Sequence, residues 1–197
     1  MAAAVNRGAL LRVIQHHSAR RLPAAGLRRA AVLVPVRPKD AAGTELELLL
    51  TRRSGSLPSH AGQVAFPGGR IDPTDPTIEQ AAMRETHEEL GIAPSEVELI
   101  AQLDHLYTVT GYHIVPFVGF VSQHVELQPN PFEVERVFSV PFEVLLDPNA
   151  WQQRKHARFG LRYRLWHLFY DDEDIWGATA HILRTFIELL WRDLGRS

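Results

Sequence analysis

Apolar residues gather along this chain in short runs separated by Pro, Gly and Asp, and the spacing inside each run predicts an element. Ala30 to Val36 and Leu46 to Thr51 are runs rich in Val and Leu; both predict strands, joined by a loop over 37–44 that carries Pro, Asp and Gly. Glu96 to Leu103, Ile114 to Val121, Arg136 to Val140 and Tyr163 to Tyr170 predict further strands. In the last of these, Trp166, Leu168 and Tyr170 alternate with His167 and Phe169. Helical spacing appears over 7–19, where Leu10, Leu11 and Ile14 share a face, and over 179–194, through Ile182, Leu183, Phe186, Leu189 and Leu190. A third helix is predicted over 76–90, with Asp75 as its cap, Pro76 in its first turn and Gly91 as a left-handed stop. Pro141 to Leu146 reads as a short helix or turn. This order predicts an α/β protein with a mixed sheet sandwiched between helices: an N-terminal helical extension over 1–27, then one domain over 28–194.

Composition narrows the chemistry. A chain of 197 residues with 45% hydrophobic content supports one substantial core. The net charge of -2 supplies no positive field for a nucleic-acid backbone, and no apolar run approaches the roughly 20 residues that span a bilayer. Neither a nucleic acid nor a membrane is therefore the expected partner, and a homodimer is left open. With no cysteine, a disulfide framework, a thiolate zinc site and a cysteine nucleophile are all excluded. The first 30 residues carry Arg7, Arg12, Arg20, Arg21, Arg28 and Arg29 with no acidic residue. They read as a helix docked on the domain of a cytoplasmic protein; a mitochondrial transit peptide is the alternative.

The predicted helix over 76–90 carries the most chemistry. Glu85, Glu88 and Glu89 stand at i, i+3 and i+4, spacing that turns three like charges toward one side. Such a group is stable around a cation, and hard oxygen donors favour Mg²⁺ or Mn²⁺ over zinc. Arg84 can reach Glu88 across one turn and orient it, and Gly68-Gly69 upstream lets backbone come close to an anion or a metal.

The run Gly69-x5-Asp75-x8-Arg84-Glu85-Thr86-x-Glu88-Glu89-x-Gly91-Ile92 resembles the Nudix box, the loop–helix–loop motif of hydrolases acting on nucleoside diphosphates linked to another moiety. It departs from the usual form by one extra residue before the arginine and by Asp75 in place of the first Glu. The resemblance implies the Nudix fold, with Glu85, Glu88, Glu89 and the backbone at Gly68 or Gly69 holding the metal. It implies too that an activated water attacks phosphorus, with Glu85 or Glu88 as general base and an acidic residue of a later loop assisting. Glu133 is the candidate for that outside carboxylate.

Upstream, Leu49 to Gly69 resembles the coenzyme A diphosphatase subfamily through Leu-Leu-Thr-x-Arg-Ser and then His60-x-Gly62-Gln63-x-Ala65-Phe66-Pro67-Gly68-Gly69. Pro58 stands where an arginine is frequent. The likeness extends through Asn130-Pro131 and Val140-Pro141 to the run Ile175 to Ala180. It implies cleavage of coenzyme A or a derivative to 3′,5′-ADP and 4′-phosphopantetheine. Arg52, Arg53 and His60 would meet the excess phosphate charge, amides near Gly62 would add donors, Gln63 and Phe66 would shape the pocket, and Trp176 would pack rather than stack on a base. Two other readings of the same residues are a Nudix hydrolase of ADP-ribose, dinucleotides or nucleoside triphosphates, and a noncatalytic coenzyme A-binding module.

Overall fold

The computed structural model describes residues 5–40, 42–158 and 160–195. Its centre is a mixed eight-stranded sheet built on β1 (Arg28–Pro38) and β2 (Leu46–Arg53). These pair antiparallel only over Val36–Pro38, then diverge; β3 (Val64–Ala65) and β4 (Gly68–Arg70) fill the wedge, β3 on β2 and β4 on β1. After α2 (Ile78–Leu90) come β5 (Val97–Gln102), β6 (Leu106–Tyr107) and β7 (Tyr112–Val121), and β7 runs parallel to β1 from Arg28↔Tyr112 to Val36↔Phe120. β8 (Val134–Pro141) closes the far edge of β2.

Alternation along the central strands explains the layers. Ala31 and Leu33 of β1 and Leu49 of β2 pack with Ala81, Ala82 and Leu90 of α2 on one face. Val34, Val36, Leu48 and Leu50 point the other way, into a core with Leu10, Ile14, Phe142, Leu183 and Phe186. Those residues belong to α1 (Arg7–Gln15), α3 (Phe142–Leu145) and α4 (Gly177–Asp193). The sandwich of sheet between helices is as the pattern predicts. The N-terminal helix is shorter than its apolar spacing suggests, ending at Gln15, but Leu10 and Ile14 are fully buried. Among the described residues no helix is long and apolar enough to cross a membrane.

Two features depart from the sequence pattern. A separate three-stranded sheet forms from β9 (Trp151–Arg158), β10 (Leu161–Tyr170) and β11 (Glu173–Trp176), where only β10 was expected. α2 begins at Ile78, two residues later than predicted, capped by the Thr77 hydroxyl accepting from the Gln80 amide at 3.2 Å. Asp75 is not its cap, because both carboxylate oxygens of Asp75 are held by Arg84 at 2.9 and 3.0 Å.

Candidate active site

A cleft of about 560 Å³ opens between the wedge residues of the main sheet and the start of α4. Its floor is Ala30 and Val32 of β1 and Ile114 of β7; its walls include Arg53, His60, Gln63, Gly68, Gly69, Glu85, Glu89, Glu133 and Trp176. Thr179 at the head of α4 donates its hydroxyl to the Val64 carbonyl at 2.9 Å, which seats the second sheet and α4 against the wedge.

The glycine pair is dictated by close approach. A Cβ on Gly68, at φ 148°, would fall 2.4 Å from the Ala31 carbonyl oxygen; one on Gly69 would fall 2.3 Å from Glu85 Oε2. Only bare backbone lets the Glu85 carboxylate lie against the loop. Glu89 enters beside it, its Oε2 accepting from the Gly68 amide at 3.3 Å and its Oε1 facing Arg53 at 3.6 Å. The Glu89 side chain is only 5% exposed, and burial pushes its carboxyl up to about 7 despite the pull of Arg53. Burial also raises the Glu85 carboxyl, with the Arg84 guanidinium acting against it. Glu133 adds its charge to both.

Arg84 organises this cluster. Its guanidinium holds Asp75 in a two-pronged pair, reaches Glu85 and Glu88 at 3.0 Å each, and donates to the Arg70 carbonyl at 3.1 Å. Hydrogen bonds donated by the Arg84 guanidinium hold the Asp75 carboxyl below its ordinary value. Asp75 is thus the anchor of the arginine, a role that the pairing of side chains nine positions apart decides. Glu88 is the exception to convergence: it is half exposed, lies outside the cleft lining and turns to Arg84. At 3.6 residues per turn, Glu88 and Glu89 flank Glu85 on opposite sides, roughly 100° apart. Among the described residues no three metal-binding side chains stand already gathered. The donor chemistry still fits a hard divalent cation: Asp75, Glu85, Glu88, Glu89 and Glu133 offer oxygen only, against Arg53 and Arg84 as counter-charges, beside a cradle that only glycine leaves open.

The remaining expected substrate contacts divide. Arg53, His60, Gln63 and Phe66 line the cleft, Phe66 as a 3% exposed packing residue. His60 adopts φ 58°, its Nδ1 within 2.7 Å of Gln63 Oε1. Arg52 does not reach the cleft: β2 shifts register with β8 between Arg52 and Arg53, and Arg52 faces Glu173 at 3.6 Å and Glu135 at 3.7 Å instead. Gly62 lies outside the lining and its amide already donates to the Arg53 carbonyl at 3.0 Å. Trp176 both packs and lines the cleft, its indole stacked on His156 at 5.5 Å between centroids. Tyr112, Tyr163 and Arg70 also line the cleft, and nothing in their local sequence pattern marks them.

This architecture has known counterparts. The family model described as the NUDIX domain matches residues 27–159. The uncharacterized Nudix hydrolase NudL of Yersinia pestis is 40% identical over 159 residues, spanning 80% of this chain and 77% of its own. Among solved structures, the MutT protein from Methanosarcina mazei superposes with a TM-score of 0.53 over 86% of this chain and 96% of that one, at 19% identity. A MutT/nudix family protein from Enterococcus faecalis gives a TM-score of 0.51 at 14% identity over 97% and 70%. At those identities the likeness concerns the fold alone, while the domain match and the NudL relationship extend to the sequence that builds the carboxylate helix. The chain belongs to the Nudix family of hydrolases.

Proposed function

We propose that this Nudix hydrolase cleaves the diphosphate bond of coenzyme A or one of its derivatives, releasing 3′,5′-ADP and 4′-phosphopantetheine, with Mg²⁺ or Mn²⁺ as cofactor. One observation carries the reading: the segment resembling the coenzyme A diphosphatase motif contributes Arg53, His60, Gln63 and Phe66 to the same cleft wall that meets Glu85 and Glu89. A substrate diphosphate beside those carboxylates would lie next to Arg53, a cleft arginine whose Nε is buried without a hydrogen-bond partner among the described residues.

Glu85, Glu89 and the Gly69 backbone would hold the metal, with Glu88 as a further carboxylate from its exposed position. A bound divalent cation supplies charge stabilisation at the phosphoryl oxygens and lowers the pKa of water. Arg84 keeps Glu85 and Glu88 oriented, with Asp75 holding the guanidinium in place. Glu133 lines the cleft and has no cationic partner among the described residues, which suits it to take the proton of the attacking water. Glu85 and Glu88 are both engaged by Arg84 and so are less free to reach the attacking water. A cytoplasmic location accords with this reading: the N-terminal helix is packed into the core, and the NudL relatives are bacterial.

The test compares coenzyme A, its dephospho form and ADP-ribose, with and without Mg²⁺ or Mn²⁺. The proposal expects metal-dependent release of 4′-phosphopantetheine and a higher kcat/KM for coenzyme A. Equal turnover of all three would reassign the protein to a broader nucleoside diphosphate specificity.

A further inference from the structure

The cations that the sequence offers for a second phosphate group are largely committed elsewhere. Arg53 faces Glu89 and the proposed place of the diphosphate, and Arg52 faces Glu135 and Glu173, so neither is left for a second phosphate group. A phosphomonoester carries nearly two negative charges at neutral pH and needs donors that are not already paired with carboxylates.

Such donors stand at the mouth of the cleft. A second depression of about 530 Å³ shares His60, Arg70 and Tyr112 with the cleft and adds Arg28; among the described residues no acidic one lines it. Among the described residues neither Arg28 nor Arg70 has a carboxylate partner. The Arg28 guanidinium donates to the Thr110 carbonyl at 2.8 Å and lies 4.2 Å from the centre of the Tyr112 ring; Arg70 reaches the Tyr112 hydroxyl at 3.4 Å. These neutral partners hold both forks in place without cancelling their charge, so part of the rotamer entropy is already lost before a ligand arrives.

Strand register gives the spacing. Arg28, Ala30 and Val32 alternate onto one face of β1, and Ala30 and Val32 form the cleft floor. Ala30 is the register partner of Arg70, and Ala31 that of Gly69, which touches Glu85. From the carboxylate end at Val32 to Arg28 is four residues of strand, roughly 13 Å. An arginine side chain shortens that gap to the reach of one nucleoside. His60 completes the rim, its Nδ1 on Gln63 and its Nε2 uncommitted among the described residues.

We propose that Arg28 and Arg70, with His60, form a subsite for a phosphomonoester on the ribose of the nucleotide, the group that separates coenzyme A from its dephospho form. The inference rests on the coenzyme A reading and adds residues that neither the box nor its upstream segment designates.

Two measurements on R28Q, R70Q and the double variant test it separately from that reading. The first is the ratio of kcat/KM for coenzyme A over dephospho-coenzyme A. It should fall at least tenfold in the double variant; an unchanged ratio above one would leave the substrate assignment standing and overturn the subsite. The second is calorimetric binding of adenosine 3′,5′-bisphosphate against AMP. A preference for the bisphosphate that disappears in the variants supports the subsite even if coenzyme A is not cleaved. Equal weakening of both nucleotides would overturn it. R28K and R70K, which retain charge without the guanidinium fork, should recover part of the ratio.

Discussion

Two charged clusters flank the end of β2, and they are built on opposite principles. On one side Asp75, Glu85, Glu88, Glu89 and Glu133 outnumber Arg53 and Arg84, five carboxylates to two guanidiniums. On the other, Glu173, Asp172 and Glu135 meet Arg52 and Arg136, three to two, with Arg136 bonded to Asp172 at 2.8 Å and closely to Glu173. Both contain a carboxylate that is almost fully buried: Glu89 and Glu173 expose 5% and 4% of their side chains. The surplus negative charge of the first favours a cation that completes it, whereas the second is near balance and has no such need. Excess buried charge, more than the number of acidic residues, distinguishes a reaction centre from a structural ion pair.

Substitutions that remove negative charge should therefore separate the clusters. Glu85→Gln and Glu88→Gln should each lower kcat by about 10³-fold by removing a proposed metal ligand, with the thermal transition nearly unchanged. A loss of folding in place of activity would mean that the first cluster, too, is structural. Glu173→Gln should do the reverse, destabilising by about 3 kcal/mol because Arg52 and Arg136 lose their buried partner. Urea titration reads that loss, and kcat of the folded fraction should stay within about twofold of the parent.

Glu89 makes the comparison depend on pH. Its folded-state carboxyl is raised to about 7, above the unfolded value, so folding favours the protonated form. In metal-free protein its contribution is unperturbed below the unfolded pKa, and stability falls as pH rises from about 4.5 through 7, by about 3 kcal/mol at most. Glu89→Gln should flatten that slope and stabilise the metal-free protein at pH 8. Saturating Mn²⁺ should flatten it in the parent by binding the ionised form; an identical slope in parent and variant would assign the pH dependence to another group. The smallest effect is expected of Arg84→Lys, which keeps one charge but cannot span Asp75, Glu85 and Glu88 together. Metal affinity should weaken about tenfold, as for a lost ligand-orienting partner, measured by Mn²⁺ titration.

Legibility in the sequence followed the contrast between apolar and polar positions. β1, β2, β7 and α4 were readable because they bury one or both faces. β9 was not: Gln152, Gln153, Arg154 and Lys155 are all exposed, so its two faces look alike and no period of two appears. β11 is too short, at four residues, to show a period at all. In the site, Glu85, Glu89 and the glycine pair were legible because their spacing lies within one local segment. The separate fates of Arg52 and Arg53 were not, because a register shift against β8 decides them.

By itself, the amino-acid sequence determined the layered α/β order, the identity of the acidic helix and the need for glycine beside it, since each depends on contacts between near neighbours or on one repeating pattern. Only the tertiary structure decided that Asp75 anchors Arg84, that Glu88 stands outside the cleft and that Arg28 and Arg70 meet at Tyr112. The first joins α2 to the loop before it, and the last exists only once β1 has paired with β4 and β7.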